Sequence, residues 1–494
     1  MEEIFSTPIL ITIILGTVGL IIPVIDAMRK EKGASHKAYG SIAFGALIVS
    51  ILIIIIRIFS GETLPAVAFA ETVLTDDLFG AFFGIAMLIV AIVVTASSID
   101  YMKKIANPAP YYSLILLSTI GMVLIAYSTD LVMLIVAWEL MSIPTYVLAG
   151  FHKKDPVSNE AAIKYFLFGA LSSGILIYAI SLAYGLTGST NIGVVIQSLT
   201  QLEGDLSPIA LMSLALFIAG FGFKMALVPF HMWLPDAYEG SPTTVSAFLA
   251  AGTKKAGFAA ALRVLILGMV ALSVDWSLAL GIIAVITMTI GNLAALTQKS
   301  MTRMLAYSSI AQAGYILIGL SLAPFSTYAM QGSLFHILNH AVMKSAAFIA
   351  AAGVVVALAT ANIDSYKGLG RRMPITAMVM SVSLLALAGV PPLNGFWSKF
   401  ILFTAAVDSG TAVSWGPYLA IAGVLNSALS LGYYAWVIRR MYFDESTVSG
   451  RIKEPRIIVA VLIFALVFMV GFGIYPAPLI DFSSSSVPPL AVLP

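Results

Sequence analysis

From residue 7 to residue 476 the chain passes through a succession of apolar stretches, separated by short segments rich in Gly, Pro, Ser and Asp. About 20 apolar residues wound as a helix cross the hydrocarbon core of a bilayer. In lipid every backbone N–H and C=O must be satisfied within the protein, which restricts a spanning segment of this kind to α-helix. The pattern predicts an all-α polytopic membrane protein with about fourteen transmembrane helices. Their expected limits are 7–27, 38–58, 79–98, 111–127, 130–150, 161–187, 208–239, 242–272, 276–297, 303–322, 328–358, 375–407, 416–438 and 456–476.

Composition agrees with this reading. Of 494 residues, 60% are hydrophobic and 10% charged, against about 25% charged in soluble domains. There is no cysteine, which excludes disulfides, thiolate metal sites and iron–sulfur ligation within the chain. The acidic start, MEEIFSTPILITIILG, lacks a basic leader and an A-x-A cleavage site, so it is expected to stay as the first helix. Most lysines and arginines fall in or beside the loops after spans 1, 3, 5, 9, 11 and 13, among them Arg29, Lys30, Lys32, Lys103, Lys153, Lys299, Arg371 and Arg440. The alternate loops are neutral or acidic (Glu71, Asp76, Asp130, Glu203, Asp205, Asp275), with Arg57 the exception. By the positive-inside rule the basic face is cytoplasmic and both termini lie outside.

Against that background, buried charge stands out. Lys164, Lys224, Lys254, Lys255, Arg263, Lys344 and Lys399 fall inside predicted spans, and Glu139 is the one acid deep in a span. Charged groups at membrane depth are costly and concentrate along ion paths. Pro229 and Pro235 break the seventh span just after Lys224, and Pro391 and Pro392 break the twelfth just before Lys399. Such breaks survive where they pack in protein or line a wet cavity. Spans 4–8 and 9–13 then form two five-helix units of opposite orientation, each with its fourth helix broken, the plan of inverted-repeat transporters. The expected divisions are 1–107, 108–272, 273–440 and 441–494. In this scheme Lys399 is the second-half counterpart of Lys224.

Glu139 and Lys224 are the expected central pair, since pairing lowers the cost of burying either charge; the alternative is an inert structural bridge. Lys254 and Lys255 point about 100° apart on a helix, so one is expected on the interior path and the other toward lipid or a neighbouring subunit. Spacing alone does not choose between them. His336, His340 and Lys344 recur at i, i+4 and i+8 and form one polar stripe suited to proton relay, or to holding helices together. His231 either bridges Lys224 to the next helix or caps carbonyls freed by the break. Lys164 either snorkels or guards an entry. The sequence holds no dinucleotide fingerprint, P-loop or nucleophile elbow, so the chain is expected to move charge rather than make bonds.

The segment FKMALVPFHMWLPDAYEGSPTTVSAFL with GTKKAGF after it, and DLVMLIVAWELMSIPTYVLAGF before it, resembles the antiporter-like membrane subunits of respiratory complex I. The pattern Lys–x4–PFH–x–W–x–PD–x–YEG is most similar to subunit N. The M and L subunits, the D subunit of multisubunit Na+/H+ antiporters and archaeal deazaflavin dehydrogenase subunits are related. The resemblance covers roughly residues 100–410. It implies that Glu139, Lys224, Lys254 and Lys399 are the functional glutamate and lysines of helices 5, 7, 8 and 12. The helix-11 segment FHILNHAVMK looks more like the L, M and antiporter-D chains. The resemblance further implies a proton path from the cytoplasmic side through Lys224, Lys254 and the histidines, leaving outward near Lys399. NAD or deazaflavin, flavin, iron–sulfur clusters and quinone or phenazine would sit in other subunits, with no cofactor or metal in this chain, and its membrane-arm partners would be subunits of the M, L, K, H and J types. The expected setting is a prokaryotic cytoplasmic membrane, with no nucleic-acid partner.

Overall fold

The computed structural model describes residues 6–28, 36–65, 72–104, 108–200, 208–268, 273–446 and 450–488. Arg29, Lys30, Lys32, Glu71, Glu203 and Asp205 therefore lie outside the described residues. The described chain is helical, with four isolated β-bridges and no strand.

Twelve helices among the described residues are long and apolar enough to cross a membrane. They are α1 (Thr7–Met28), α2 (His36–Ser60), α3 (Leu78–Tyr101), α4 (Pro108–Tyr127), α5 (Leu131–Ala149), α6 (Pro156–Thr187), α8 (Pro208–Met225), α12 (Ser273–Leu296), α13 (Met301–Leu322), α14 (Thr327–Leu358), α18 (Gly416–Tyr442) and α19 (Arg456–Ile474). Side-chain caps set several starts: Asp77, Asp130, Asp155, Ser300 and Ser326 each accept from an orphan backbone N–H of the first turn. Large apolar side chains such as Phe59, Leu171 and Val467 stay exposed on the outer helices, as a lipid-facing surface requires. Short helices absent from the expected set are α7 (Ile192–Thr200), α15 (Leu369–Arg372) and α20 (Ala477–Ser485).

Both proline breaks are present. The first leaves α8 at Met225, passes Ala226 at φ 53° and a cis Val228–Pro229 bond, and resumes as α9 (Trp233–Gly240). The freed groups find partners: Trp233 Nε1 donates to the Phe223 carbonyl at 3.1 Å, and Val228 N–H donates to Thr287 Oγ1 at 3.1 Å. The second lies between α16 (Pro374–Ala388) and α17 (Asn394–Asp408), around Gly389 at φ 88° and a cis Pro391–Pro392 bond.

The region expected as one helix over 242–272 is a composite. α10 (Thr243–Phe248) and α11 (Lys254–Ala261) are joined by a π-helical turn over Leu249–Thr253, and a second π-helical stretch follows over Leu262–Gly268. All eight residues of α11 are buried. A helix enclosed on every side has no lipid face, and this helix packs against α3, α4 and α8. That geometry decides where its two lysines go.

Candidate functional site

The expected relay residues divide into a line through the protein interior and one group at its edge. Lys224, Lys254, Lys255, His336, His340, Lys344 and Lys399 are each no more than 3% exposed, so none of the seven snorkels to lipid. Glu139 is only half-buried.

Glu139 and Lys224 do not form the expected ion pair; no Glu139–Lys224 contact within 4.0 Å is present among the described residues. Instead the Glu139 carboxylate accepts a short hydrogen bond from Ser173 on α6. Lys224 Nζ donates to Ser142 Oγ at 3.0 Å and Tyr165 Oη at 2.9 Å. The ammonium also lies 5.2 Å from the Tyr165 ring centre and 6.0 Å from that of Trp138, where ring quadrupoles attract a cation. Tyr165 is held in place by stacking on Trp233, with ring centres 4.6 Å apart, and by a 3.1 Å contact with Thr145. Hydroxyls and aromatic faces thus share the desolvation cost that a carboxylate was expected to carry.

Lys254 and Lys255 both point inward, which corrects the expectation that one of them would leave the path. Because α11 is enclosed, side chains about 100° apart both meet protein. Lys254 Nζ donates to the Ser309 carbonyl on α13 at 2.7 Å. Lys255 Nζ lies 2.6 Å from His340 Nδ1 on α14. Gly257 supplies the space on the third side: a Cβ there would stand 3.3 Å from Lys224 Cβ and Cγ. Lys255 is the participant that spacing missed, and only the packing of α11 reveals it.

From His340 the polar groups continue along α14. The His340 and His336 ring centres are 6.2 Å apart. His336 Nδ1 meets Ser398 Oγ at 2.9 Å, and Nε2 meets Gln312 Oε1 at 3.0 Å. Gln312 Nε2 in turn donates to the Leu387 carbonyl at 3.0 Å, at the second break. Lys399 Nζ reaches the same carbonyl at 2.9 Å, with Ala388 O at 3.2 Å and Ser427 Oγ at 3.0 Å. Lys399 therefore satisfies the carbonyls freed where α16 ends. Lys344 forms a branch, donating to Ser308 Oγ at 2.7 Å, and Ser308 makes a short hydrogen bond with Tyr434.

His231 is buried, but its Nδ1 has no hydrogen-bond partner, and no hydrogen bond joins it to Lys224 among the described residues. Lys164 keeps 39% of its side chain exposed. It lies 2.6 Å from both Asp236 and Glu160, while Arg303 reaches Asp236 at 2.8 Å and Glu239 at 2.9 Å. This network ties α6, α9 and α13 at one end of the line. Arg263, expected only as a charge in a span, makes a bidentate bridge to Asp77 at 2.7 and 2.8 Å, both side chains being fully shielded.

Buried amines, imidazoles and hydroxyls can pass protons by exchange along hydrogen bonds, while the carbonyls beside them only accept and hold the donors in place. Known proteins resemble this chain over most of its length. Residues 128–430 match the family described as NADH:quinone oxidoreductase/Mrp antiporter, TM. The F(420)H(2) dehydrogenase subunit N of Methanosarcina mazei is 40% identical over 493 residues, covering 97% of this chain and 98% of that protein. The NADH-quinone oxidoreductase subunit N of Trichlorobacter lovleyi is 42% identical over 429 residues, 85% of each chain. Among solved structures, a chain of respiratory complex I from Thermus thermophilus superposes with a TM-score of 0.78 at 28% identity, over 96% of this chain and 99% of that one. With the family matched over more than half its length, this chain belongs to the NADH:quinone oxidoreductase/Mrp antiporter membrane family.

Proposed function

We propose that this chain is a proton-translocating, N-type membrane subunit of a redox-driven pump in a prokaryotic cytoplasmic membrane. Electron transfer from NADH or a reduced deazaflavin to quinone or phenazine takes place in other subunits of the complex, and this chain packs beside membrane-arm subunits of the M, L, K, H and J types. The observation that carries the reading is the file of buried polar groups in which Lys255 meets His340, the His340 and His336 ring centres stand 6.2 Å apart, His336 meets Gln312, and Gln312 and Lys399 both donate to the Leu387 carbonyl. Glu139, half-buried at the edge, is placed to receive a signal from a neighbouring subunit and pass it through the Ser173 side of α6 toward Lys224. Protons enter by the Lys164–Asp236–Arg303 end and leave near Lys399.

The proposed frame has fourteen crossings, both termini outside, and inverted repeats over 108–272 and 273–440. Recurring geometry supports the repeat. Asp130 bridges to Asn191, and Ser300 bridges to Asn362; the members of the two pairs lie 170 and 171 residues apart. A Cβ on Gly121 would meet Met141 N at 2.3 Å, and one on Gly291 would meet Ala311 N at 2.6 Å, again 170 residues on. The positive-φ residues at the breaks, Ala226 and Gly389, are 163 apart. On that last offset Lys224 corresponds to Leu387, so Lys399 delivers its amine to the matching place by reaching back across the break.

The test is proton uptake per electron transferred by the assembled complex in proteoliposomes. Lys224→Ala and Glu139→Gln each lower it; unchanged stoichiometry in both overturns the relay. Membership of a family that includes antiporters supports a second reading, a subunit of a cation/proton antiporter. That reading requires sodium-dependent proton release without any electron donor, which the same vesicles measure. A scaffold that moves nothing would tolerate both substitutions.

A further inference from the structure

Arg372, at the end of α15, is 8% exposed, and its Nε has no hydrogen-bond partner. No carboxylate lies within ion-pair distance of it among the described residues. A buried guanidinium left without a counter-charge is costly, because desolvation is not offset. The side chain borders a cavity of about 450 Å³ beyond the C-terminal end of α18, and Arg371 and Arg451 share its wall. It also borders an adjoining cavity of about 410 Å³ that includes Lys367.

The acids nearby do not neutralise it. Asp364 is taken up by Arg440 and by Lys367 at 3.6 Å. Asp444 lies 3.9 Å from Arg439 Nε. Glu445 is exposed on the wall of the larger cavity. Three guanidinium groups around an open polar space are suited to an oxyanion, since the fork of N–H donors matches phosphate oxygens in pairs.

We propose that this cavity binds a phosphate group, held by Arg372 from below and by Arg371 and Arg451 at the mouth. Its place at the ends of α14 and α18 sets it at the membrane boundary, where either the headgroup of an anionic phospholipid or free phosphate can reach it. The site is separate from the relay and does not depend on it.

The test uses the purified full chain with two probes. One is inorganic phosphate, compared with chloride at equal ionic strength. The other is nanodiscs of phosphatidylcholine with phosphatidylglycerol, compared with phosphatidylcholine alone. A ligand that binds the folded state raises the melting midpoint with its concentration, by about a few degrees near saturation. The wild-type midpoint rises saturably with at least one probe, and the rise is lost in Arg372→Gln and Arg451→Gln but kept in Lys37→Gln. A rise with phosphate assigns the free anion, and a rise confined to phosphatidylglycerol assigns the headgroup. If Arg372→Gln does not fold, Arg451→Gln, at an exposed position, carries the comparison. No rise with either probe, or a rise that survives the Arg451 substitution, overturns the proposal.

Discussion

Lys255 Nζ stands 2.6 Å from His340 Nδ1, with both side chains closed off from solvent. Two positive charges at that separation would repel strongly in a medium of low dielectric, so the pair holds at most one positive charge. A proton arriving on the lysine can move to His340 and, after the rings rearrange, pass toward His336. His340→Ala removes the acceptor and leaves a buried amine unpartnered, at a cost of about 1–3 kcal/mol. The expected result is proton pumping reduced several-fold, read as fluorescence quenching of a pH dye in proteoliposomes. His340→Gln, which keeps a side-chain acceptor, retains more activity than His340→Ala.

Tyr165 serves Lys224 in two ways, through its hydroxyl and through its ring. Tyr165→Phe separates them. The ring stays stacked on Trp233, while the 2.9 Å acceptor for the ammonium is lost. A lost hydrogen bond to a charged group is worth about 1.5–3 kcal/mol. Pumping in the variant is expected to fall while the folded yield stays near wild type, and Tyr165→Ala should lower both. Equal pumping by wild type and Tyr165→Phe would show that the hydroxyl is not part of the path.

The spans and the two breaks were legible because lipid imposes a length and proline imposes an interruption, and both leave marks on neighbouring residues. The buried lysines were legible because their cost in hydrocarbon makes them conspicuous. The partners were not. Gln312 and Ser398 look like ordinary packing residues until the helices that carry them meet. The expectation that Lys255 or Lys254 faces away assumed a helix with a lipid side, and α11 has none. Asp77, next to the loop acid Asp76, caps α3 and pairs with Arg263 from a segment 186 residues later. Pairings across such distances depend on packing order, which no local pattern records.

Gly257 tests the closeness of α11 and α8. Alanine favours a helix over glycine by about 1 kcal/mol, but its Cβ would stand 3.3 Å from the Lys224 stem. The contact is near the lysine backbone, where the side chain has least room to swing aside. Overpacking of this kind costs about 1–3 kcal/mol, so the net effect of Gly257→Ala is expected to be destabilising. Thermal unfolding in detergent should show a lower midpoint, with pumping reduced further because Lys224 is displaced from Ser142 and Tyr165. A raised midpoint would mean that the helices separate more readily than this packing implies.

The Asp77–Arg263 bridge is the control for the relay, since it is equally buried but, among the described residues, makes no hydrogen bond to any relay residue. Arg263 also donates to the Ala126 carbonyl at 3.1 Å and lies 4.4 Å from the Phe79 ring centre, so it ties the start of α3 to the end of α4. Removing one partner of a buried pair leaves an uncompensated charge and costs about 3–5 kcal/mol. Arg263→Met alone is therefore expected to lower the melting midpoint and the yield of assembled complex strongly. Asp77→Leu combined with Arg263→Met removes both charges and should recover much of that loss, because apolar replacement of a buried pair is often close to neutral. The complex that does assemble should pump with wild-type stoichiometry in the double variant, unlike any relay variant. A double variant that folds as well as wild type yet pumps poorly would place this bridge within the conducting machinery, and the distinction between support and relay would have to be redrawn around Arg263.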